Sequence, residues 1–463
     1  MPTFATKSPD KKTLFSQSPD AFGWAVGIED TFIGQTDRLG ERVLDEYALT
    51  HHYLYWREDI DRAANLGINS MRYGIPWYKV EPNRGQFDWS WMDRVLEYAA
   101  EKGIAIIADL MHYGTPLWLD NQFLNSSYPA RVAAYEGEFA RRYRHIISHY
   151  TPLNEPLVTM DFCGERALWP PYLRGSDGSV KILRQLARGI ALSVQALRQA
   201  DPDAKIVHVE AAGEFIPDAP EQCDAAQFLT RRARIAVDLL AGLVDKHHPL
   251  VGWLLEHGMS DLDLAWHSEN SILIDLLGVN YYPDISVYRV RNFGGVAGTE
   301  HISAGAAGLK RCVQDFWERY HRPIMLTETS KNGTLEERSQ WLTDSVSTIA
   351  EIRGQGIPLV GYTWWPLFDL IDWVYRESTA PIERFMARQG PISVDLEQIG
   401  KMIQALQWNR LEELPLEAYI AAMGLYDLHM QFDGTFARLE TPLVEQYRAL
   451  IKRGPEVVGL LRT

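Results

Sequence analysis

The stretch Ile104-Ala105-Ile106-Ile107-Ala108-Asp109-Leu110 decides the fold class. Its nearly continuous apolar run is typical of a strand that is buried on both faces in a parallel sheet. A segment with helical spacing, Trp91 to Lys102, precedes it and is followed by Gly103, a residue type that commonly ends helices. A helix that leads directly into a doubly buried strand is the repeating unit of an α/β protein.

The same alternation extends in both directions from this stretch. Strands are predicted at residues 23–27, 67–73, 104–110, 146–153, 205–209, 276–281, 323–327 and 357–362. Helical patterns are found at about 91–102, 130–144, 180–199, 225–244, 309–320, 335–353 and 442–453. Eight strands separated by helices predict a (β/α)₈ TIM barrel. A doubly wound sheet is disfavoured because no glycine-rich phosphate turn follows the first strand.

The length and composition suit one large globular unit. The chain has 463 residues, of which 46% are hydrophobic and 23% are charged, and this excludes disorder, collagen and coiled coil. We predict a single catalytic domain over residues 1–463 with an N-terminal extension at 1–20. An excursion at 378–423, with a helix at 396–409, is predicted before the closing helix. This segment would either line the rim of the active site or be a tolerated surface insertion.

Charge and cysteine usage restrict partners and location. The formal net charge of −15 disfavours binding to nucleic acid or to anionic membranes. The three cysteines form no CxxC pair, which favours a reducing compartment. No apolar run approaches the ~20 residues of a membrane span, and the N-terminus lacks the apolar run of a signal peptide. We therefore predict a cytoplasmic protein that acts on a small molecule, and assembly into a homo-oligomer stays open.

Polar and aromatic side chains collect where the predicted strands end, which is where barrel enzymes hold their active sites. These residues are Glu29, Asp30, Arg72, Trp77, Tyr78, Asp109, His112, Asn154, Glu155, Glu210, Asn280, Tyr281, Tyr282, Glu328, Trp364, Trp365, Asp369, Asp372 and Trp373. The set is rich in carboxylates and rings and poor in cations. It suits a neutral polyhydroxylated ligand better than a phosphate.

Two glutamates in this set point to one chemistry. Glu155 follows the fourth predicted strand and Glu328 follows the seventh, and these strands can face each other across the mouth of a barrel. Cleavage of a glycosidic bond needs one carboxylic acid to protonate the leaving oxygen and a second carboxylate to attack or to activate water. A single glutamate at a strand end is usually a rim charge, whereas this pair predicts a glycosidase.

Six ordered motifs resemble those of the family 1 glycoside hydrolases, a β-glucosidase-like group of retaining (β/α)₈ enzymes. Residues 151–156, Thr-Pro-Leu-Asn-Glu-Pro, resemble the family's T-x-N-E-P with one extra residue, and residues 327–330, Thr-Glu-Thr-Ser, resemble T-E-N-G in part. The other four motifs lie at 71–77, 109–119, 278–282 and 361–373 and resemble R-F-S-I-S-W, T-L-Y-H-W-D-L-P-Q-W-L, G-I-N-Y-Y and G-Y-F-x-W-S-L-x-D-N-F-E-W. The likeness covers about residues 21–375 and resumes at 424.

This resemblance implies a retaining exo-acting β-glycosidase that works by double displacement, with a β-glucoside as the default substrate. Glu328 would be the nucleophile and Glu155 the general acid/base. Arg72 would keep Glu328 ionised, and Asn280 would support the site. Substrate-binding roles would fall to Glu29, His112, Asn154, Tyr282, Trp365, Asp372 and Trp373. No cofactor and no metal is implied.

The chain departs from the family at the subsite for the glycosyl group. The first strand offers Glu29 and Asp30 where the family delivers a glutamine, and Asp372 replaces a glutamate. Thr329 stands where the family has asparagine after the nucleophile. A glycosyl group other than glucose therefore stays open. A 6-phosphoglycoside is disfavoured because Arg376 alone would be a poor phosphate clamp.

Three other functions are compatible with parts of the pattern. A transglycosylase would use the same two glutamates with a sugar acceptor in place of water. A sugar-binding protein that has lost turnover would keep the pocket without the chemistry. A metal-dependent hydrolase is disfavoured because the pairs His51-His52 and His247-His248 are adjacent in sequence and lie away from the strand ends.

Overall fold

Eight parallel strands close into a barrel in chain order. The structure, a computed structural model, describes residues 22–38, 40–293, 296–377 and 415–455. The barrel strands are β1 (Gly23–Gly27), β2 (Ser70–Gly74), β3 (Ala105–Asp109), β4 (His149–Thr151), β5 (Lys205–Ala211), β6 (Leu276–Asn280), β7 (Ile324–Thr329) and β8 (Leu359–Trp364). Each predicted strand overlaps one of them, so the predicted (β/α)₈ barrel is confirmed.

Helices connect these strands. The α-helices are Glu46–Leu49, His52–Asn65, Trp77–Val80, Ser90–Glu101, Tyr128–Tyr143, Pro156–Thr159, Gly175–Ala200, Cys223–Arg232, Ile235–Leu240, Val251–Glu256, Asp261–Glu269, Gly305–Tyr320, Leu335–Gly354 and Pro442–Arg453. Shorter turns of 3₁₀ type lie at Gln122–Leu124, Pro220–Gln222, Trp373–Glu377 and Leu416–Tyr419, and a π-helical turn lies at Met160–Glu165. The predicted helix at 225–244 is two helices, because the chain turns at Arg234, whose buried side chain pairs with Asp315 at 2.9 Å. Within the described ranges, no helix has the length and apolarity needed to cross a membrane.

Smaller sheets surround the barrel. Val287–Phe293 pairs with Val296–Ile302 and with Glu214–Pro217, and Tyr426–Met430 pairs with Phe436–Glu440. Two further pairs join Phe32–Ile33 to Leu44–Asp45 and Leu370–Ile371 to Ile420–Ala421. The predicted excursion at 378–423 is described only from residue 415 on. Its predicted helix at 396–409 and the N-terminal extension at 1–20 lie outside the described residues.

The barrel interior is filled by side chains. Alternating positions on five strands form one small apolar cluster of Ala25, Ile107, Val207, Val209, Leu276 and Met325. A much larger apolar cluster includes residues of the barrel strands and of the helices around them. Because the barrel is packed rather than hollow, binding and chemistry are left to the loops at the carboxyl ends of the strands.

The C-terminal part of the chain returns to the first strand. The hydroxyl of Tyr447 donates to the carbonyl of Ala25 in β1 at 2.7 Å. The guanidinium of Arg438 donates twice to the buried Asp59 carboxylate, at 2.9 and 3.0 Å. The closing helix and the hairpin before it are therefore bonded directly to the start of the barrel.

Gly27, the last residue of β1, leaves room for the indole ring of Trp365 to lie against the strand. A Cβ at this position would lie 2.0 Å from two ring carbons of Trp365. We expect Gly27→Ala to lower the free energy of unfolding by about 1–3 kcal/mol, as overpacking of a rigid core does. Chemical denaturation measures this, with Gly252→Ala as the control, since nothing lies within 4 Å of a Cβ at that position. Equal stability of the two variants would contradict the expectation.

Candidate active site

The loop after β4 holds Glu155 in an uncommon backbone conformation. Glu155 has φ 44° and ψ 72°, the left-handed region that residues other than glycine rarely adopt, and it directly precedes the short helix Pro156–Thr159. Its N–H donates to the carbonyl of Val209 in β5 at 3.2 Å. Strained residues of this kind persist where the surroundings hold them, and they cluster at functional sites.

The carboxyl group of Glu155 receives two hydrogen bonds. The amide of Asn280, at the end of β6, donates to Oε1 at 2.8 Å. The hydroxyl of Tyr113 donates to Oε2. Only 6% of Glu155 is exposed, so both donors act in a nearly dry environment.

Glu328, near the end of β7, lies beside the carboxyl group of Glu155. The guanidinium of Arg72 donates to its Oε1, and the hydroxyl of Tyr282 donates to its Oε2 at 2.7 Å. A register irregularity in β7 pairs Glu328 with Asn280 in β6. Asn280 therefore contacts Glu155 through its side chain and adjoins Glu328 in the sheet, so the structure brings the two predicted glutamates together.

Arg72 connects the members of the site. It is completely buried, and besides Glu328 it donates to Asp109 at 2.5 Å and to Asn154 at 2.6 Å. The Asn154 amide in turn donates to the Tyr113 hydroxyl at 2.9 Å. One guanidinium thus fixes the nucleophile candidate directly and the donor to Glu155 through one intermediate side chain.

Three predicted binding residues form a layer next to Arg72. The rings of His112 and Trp365 lie parallel, 5.7 Å apart, and the Arg72 guanidinium lies 4.7 Å from the Trp365 ring centre. The Trp365 indole donates to Glu29 at 2.8 Å. Trp365 has no exposed surface in this arrangement, so its role as the floor for a sugar ring stays a prediction.

Two aspartates surround the other side of His112. Its Nδ1 lies 2.9 Å from Asp109 and 3.1 Å from Asp30. Although burial lowers the pKa of His112, the two carboxylates outweigh it and raise that pKa well above the ordinary value. The three side chains bring potential metal-ligand atoms within 4.8 Å of one another, but Arg72 already occupies one oxygen of Asp109. Arg72, His112 and the two aspartates therefore form one ion-pair network.

Trp373 and Asp372 lie at the edge of this network. The Trp373 ring contacts the rings of Tyr113, Trp169 and Phe162 at 5.5, 5.3 and 6.1 Å. Asp372 accepts a hydrogen bond from the N–H of Val374 at 2.9 Å and so supports the turn that follows. Trp373 thereby joins the aromatic wall beside Glu155.

Burial raises the pKa of both glutamates. For Glu328 the pKa rises to about 8, with the Glu155 carboxylate adding to the rise and Arg72 opposing it. For Glu155 the pKa is also raised by burial, against the hydrogen bonds from Tyr113 and Asn280. The pair therefore retains a proton at neutral pH, the condition that acid-assisted chemistry requires.

The structure gathers most of the predicted site residues into one hydrogen-bonded or ring-stacked network. It also adds Tyr113, which the sequence analysis did not assign to the site, and Asp109, which it placed at a strand end without a role. Both belong to a quoted motif, and Asp109 stands at a strand end, so a signal for each was present. Thr329 points toward the helix Leu335–Gly354, where its hydroxyl donates to the Tyr281 carbonyl at 2.6 Å and accepts from the Trp341 indole at 3.0 Å.

Comparisons with known proteins agree on a class of enzyme. The family model Glyco_hydro_42, described as beta-galactosidase, matches residues 51–150. "Beta-glucosidase A" of Thermotoga maritima is 24% identical over 423 residues, which cover 84% of this chain and 91% of that protein. A "6-phospho-beta-glucosidase" of Clostridium longisporum is 23% identical over 403 residues, covering 75% and 81% of the two chains.

Solved structures share the fold. The "Family 1 b-glucosidase" from Thermotoga maritima superposes with a TM-score of 0.73 at 18% identity, and the match covers 96% of this chain and 99% of that one. The β-glucosidase from the same organism in complex with glucoimidazole gives a TM-score of 0.74 over 95% and 99% of the chains, also at 18% identity. Together with the sequence relatives, these likenesses show that the chain is a glycoside hydrolase on a (β/α)₈ barrel.

Proposed function

We propose that the chain is a retaining, exo-acting β-glycosidase of the family 1 type, with Glu328 as nucleophile and Glu155 as general acid/base. The observation that carries the proposal is the convergence of both glutamates on Asn280. The raised pKa belongs to the coupled pair of carboxyl groups rather than to one of them. Arg72 is a cation that bonds to Glu328, which supports assigning the charge of the pair to Glu328 and its proton to Glu155. This division of roles matches the two carboxyl groups that glycoside hydrolysis needs.

The reaction proceeds in two displacements. The Glu328 carboxylate attacks the anomeric carbon while Glu155 gives its proton to the leaving oxygen, which releases the aglycone and leaves a glycosyl ester on Glu328. The ionised Glu155 then takes a proton from water, and the resulting hydroxide attacks the anomeric carbon and frees Glu328. Because each attack inverts the anomeric centre, the product retains the substrate's configuration.

The substrate proposed is a glycoside without a phosphate on its glycosyl group. Two relatives are named 6-phospho-β-glucosidases, and a third is named an aryl-phospho-β-D-glucosidase. In this chain Arg376 is completely buried, and its guanidinium bonds to backbone carbonyls, to Glu41 at 3.1 Å and to the Tyr172 hydroxyl at 3.1 Å. It therefore has no free fork for a phosphate. Glu29 and Asp372 differ from the family pattern at the glycosyl subsite, so the glycosyl group is the first property to measure.

The first experiment is hydrolysis of aryl β-glycosides with gluco, galacto, fuco, xylo, manno and glucuronide groups. Turnover of one or two of them is expected, with retained configuration in the first-formed product by NMR. The 6-phosphate of the best substrate should react more slowly than the parent glycoside. Inversion would contradict the assigned roles. Transfer to an added sugar in preference to water would favour the transglycosylase instead.

The pH profile tests the proton shared by the two glutamates. We expect kcat/KM to fall above about pH 8, because burial and the repulsion between Glu155 and Glu328 keep one proton on the coupled pair up to about that pH. Rates between about pH 5 and about pH 10 measure this. In Glu155→Gln, assayed on 2,4-dinitrophenyl glycosides that need little acid assistance, the alkaline limb should disappear. A limb that stays in place would show that Glu155 is not the titrating acid.

A further inference from the structure

A third buried carboxyl group lies behind Glu155 and has no part in the two displacements. Glu210, near the end of β5, has no exposed surface. Its Oε1 accepts the N–H of Leu157 at 3.1 Å and that of Ala211 at 3.0 Å. Its Oε2 has no hydrogen-bond partner among the described residues. An unpaired buried carboxyl oxygen is costly for a fold.

The direction of Glu210 separates it from the sugar. Val209 belongs to the apolar cluster inside the barrel, and neighbouring side chains on a strand point to opposite faces. Glu210 therefore points away from the barrel axis, toward the turn that carries Glu155. The N–H of Leu157 donates to Glu210, and Leu157 lies two residues after Glu155. Glu155 is the residue with a φ of 44°.

We propose that Glu210 is a positioning residue for Glu155. Its carboxyl group fastens the turn after β4 to β5 through Leu157, and this holds Glu155 in its left-handed conformation with the side chain directed at Asn280. The inference rests on the proposed function of Glu155 as the acid/base. Because proton transfer depends on placement at hydrogen-bond distance, loosening this turn removes acid catalysis without removing the nucleophile.

The charge of Glu210 acts on Glu155 as well. The charged groups that influence it are Glu155, from the loop after β4, and Arg234, which is itself paired with Asp315 at 2.9 Å. Burial raises the pKa of Glu210 to about 8, with Glu155 adding to the rise. Glu210 therefore keeps its proton to a higher pH than an ordinary glutamate, and its anion in alkaline solution opposes ionisation of Glu155 and prolongs the acid form.

Leaving-group dependence tests the positioning role. In Glu210→Ala, kcat/KM should fall about 10–100-fold for aryl β-glycosides whose phenols leave poorly, and little for 2,4-dinitrophenyl glycosides. Glu210→Gln keeps an oxygen acceptor for Leu157, so it should stay close to the wild type at neutral pH while its alkaline limb moves down by roughly half a unit or more. Glu136→Gln, another completely buried glutamate, is the control for loss of a buried carboxyl. An equal loss on all leaving groups, or no loss, would overturn the proposal.

A measurement without turnover separates this proposal from the proposed function. Besides the step caused by ionisation of Glu328, the titration of the Glu155 carboxyl group by ¹³C NMR should show a second step in the wild type as Glu210 ionises. Glu210→Gln should remove this second step alone. An unchanged curve overturns the inference even if the enzyme hydrolyses glycosides. Loss of the second step in a chain without glycosidase activity would reject the proposed function alone.

Discussion

Glu328→Gln is expected to hydrolyse aryl β-glycosides about 10⁵-fold more slowly than the wild type, the scale on which loss of a catalytic nucleophile is felt. The amide cannot form the glycosyl ester, and it still accepts hydrogen bonds from Arg72 and Tyr282 through its oxygen. The fold should therefore survive, which circular dichroism and thermal unfolding check. Steady-state kinetics on the best substrate of the panel measures the loss.

Azide distinguishes the nucleophile from the acid/base. With Glu328→Ala and added azide, attack from the vacated side should give a glycosyl azide of inverted configuration. With Glu155→Ala, azide should intercept the ester on Glu328 and give the retained configuration. The opposite pair of products would exchange the two roles. Wild-type-like hydrolysis by Glu328→Gln would reject the mechanism altogether.

Arg72→Met should have the largest effect on stability. Two buried carboxylates, Asp109 and Glu328, would lose the guanidinium that neutralises them, and breaking a buried pair on one side costs about 3–5 kcal/mol. Because Arg72 lowers the pKa of Glu328, its removal raises that pKa further. The variant then binds more protons when folded, so its deficit should grow as pH rises and shrink in acid.

A surface control and a double variant show whether the loss of stability comes from the buried ion pair. Arg142→Met removes an exposed guanidinium that bonds twice to Asp93, at 2.7 and 2.6 Å, and should change stability by at most about 1 kcal/mol. Adding Asp109→Asn to Arg72→Met should restore part of the loss, since one unpaired charge disappears. Additivity of the two changes within about 0.5 kcal/mol would mean that the pair is not coupled. Urea unfolding at several pH values gives all the required numbers.

Most of the fold could be predicted because its signals are local. Doubly buried strands such as β3 appear as apolar runs, and Pro442–Arg453 has a capping threonine, a proline and basic residues at its end. The helix His52–Asn65 was not predicted, because it is rich in charged residues and no capping residue precedes it. His51, at the N-cap position, has a φ of 60° and its side chain makes no capping hydrogen bond. The hairpin around residues 287–302 is too rich in arginine, glycine and asparagine to resemble a strand pair.

The site was predictable to the extent that it depends on strand ends. Glu155 and Glu328 stand at or near the end of a strand and Arg72 lies within β2, so the barrel alone brings them together. Tyr113 was not assigned to the site because its own backbone has a φ of 71°, a conformation that the sequence pattern does not predict. Its hydrogen bond to Glu155 depends on that conformation. The bond from Arg72 to Asp109 joins neighbouring strands and depends on their register and on side-chain direction.

The bond from Tyr447 to Ala25 has a consequence for how the protein is made. A ribosome delivers β1 long before it delivers the helix that seals it, since 422 positions separate the two residues. Until this helix emerges, the Ala25 carbonyl in the first strand lacks this partner and the strand is not covered by the helix, and incompletely packed nascent chains are prone to aggregate. Chaperone dependence during synthesis should therefore end only when the helix Pro442–Arg453 has cleared the exit tunnel.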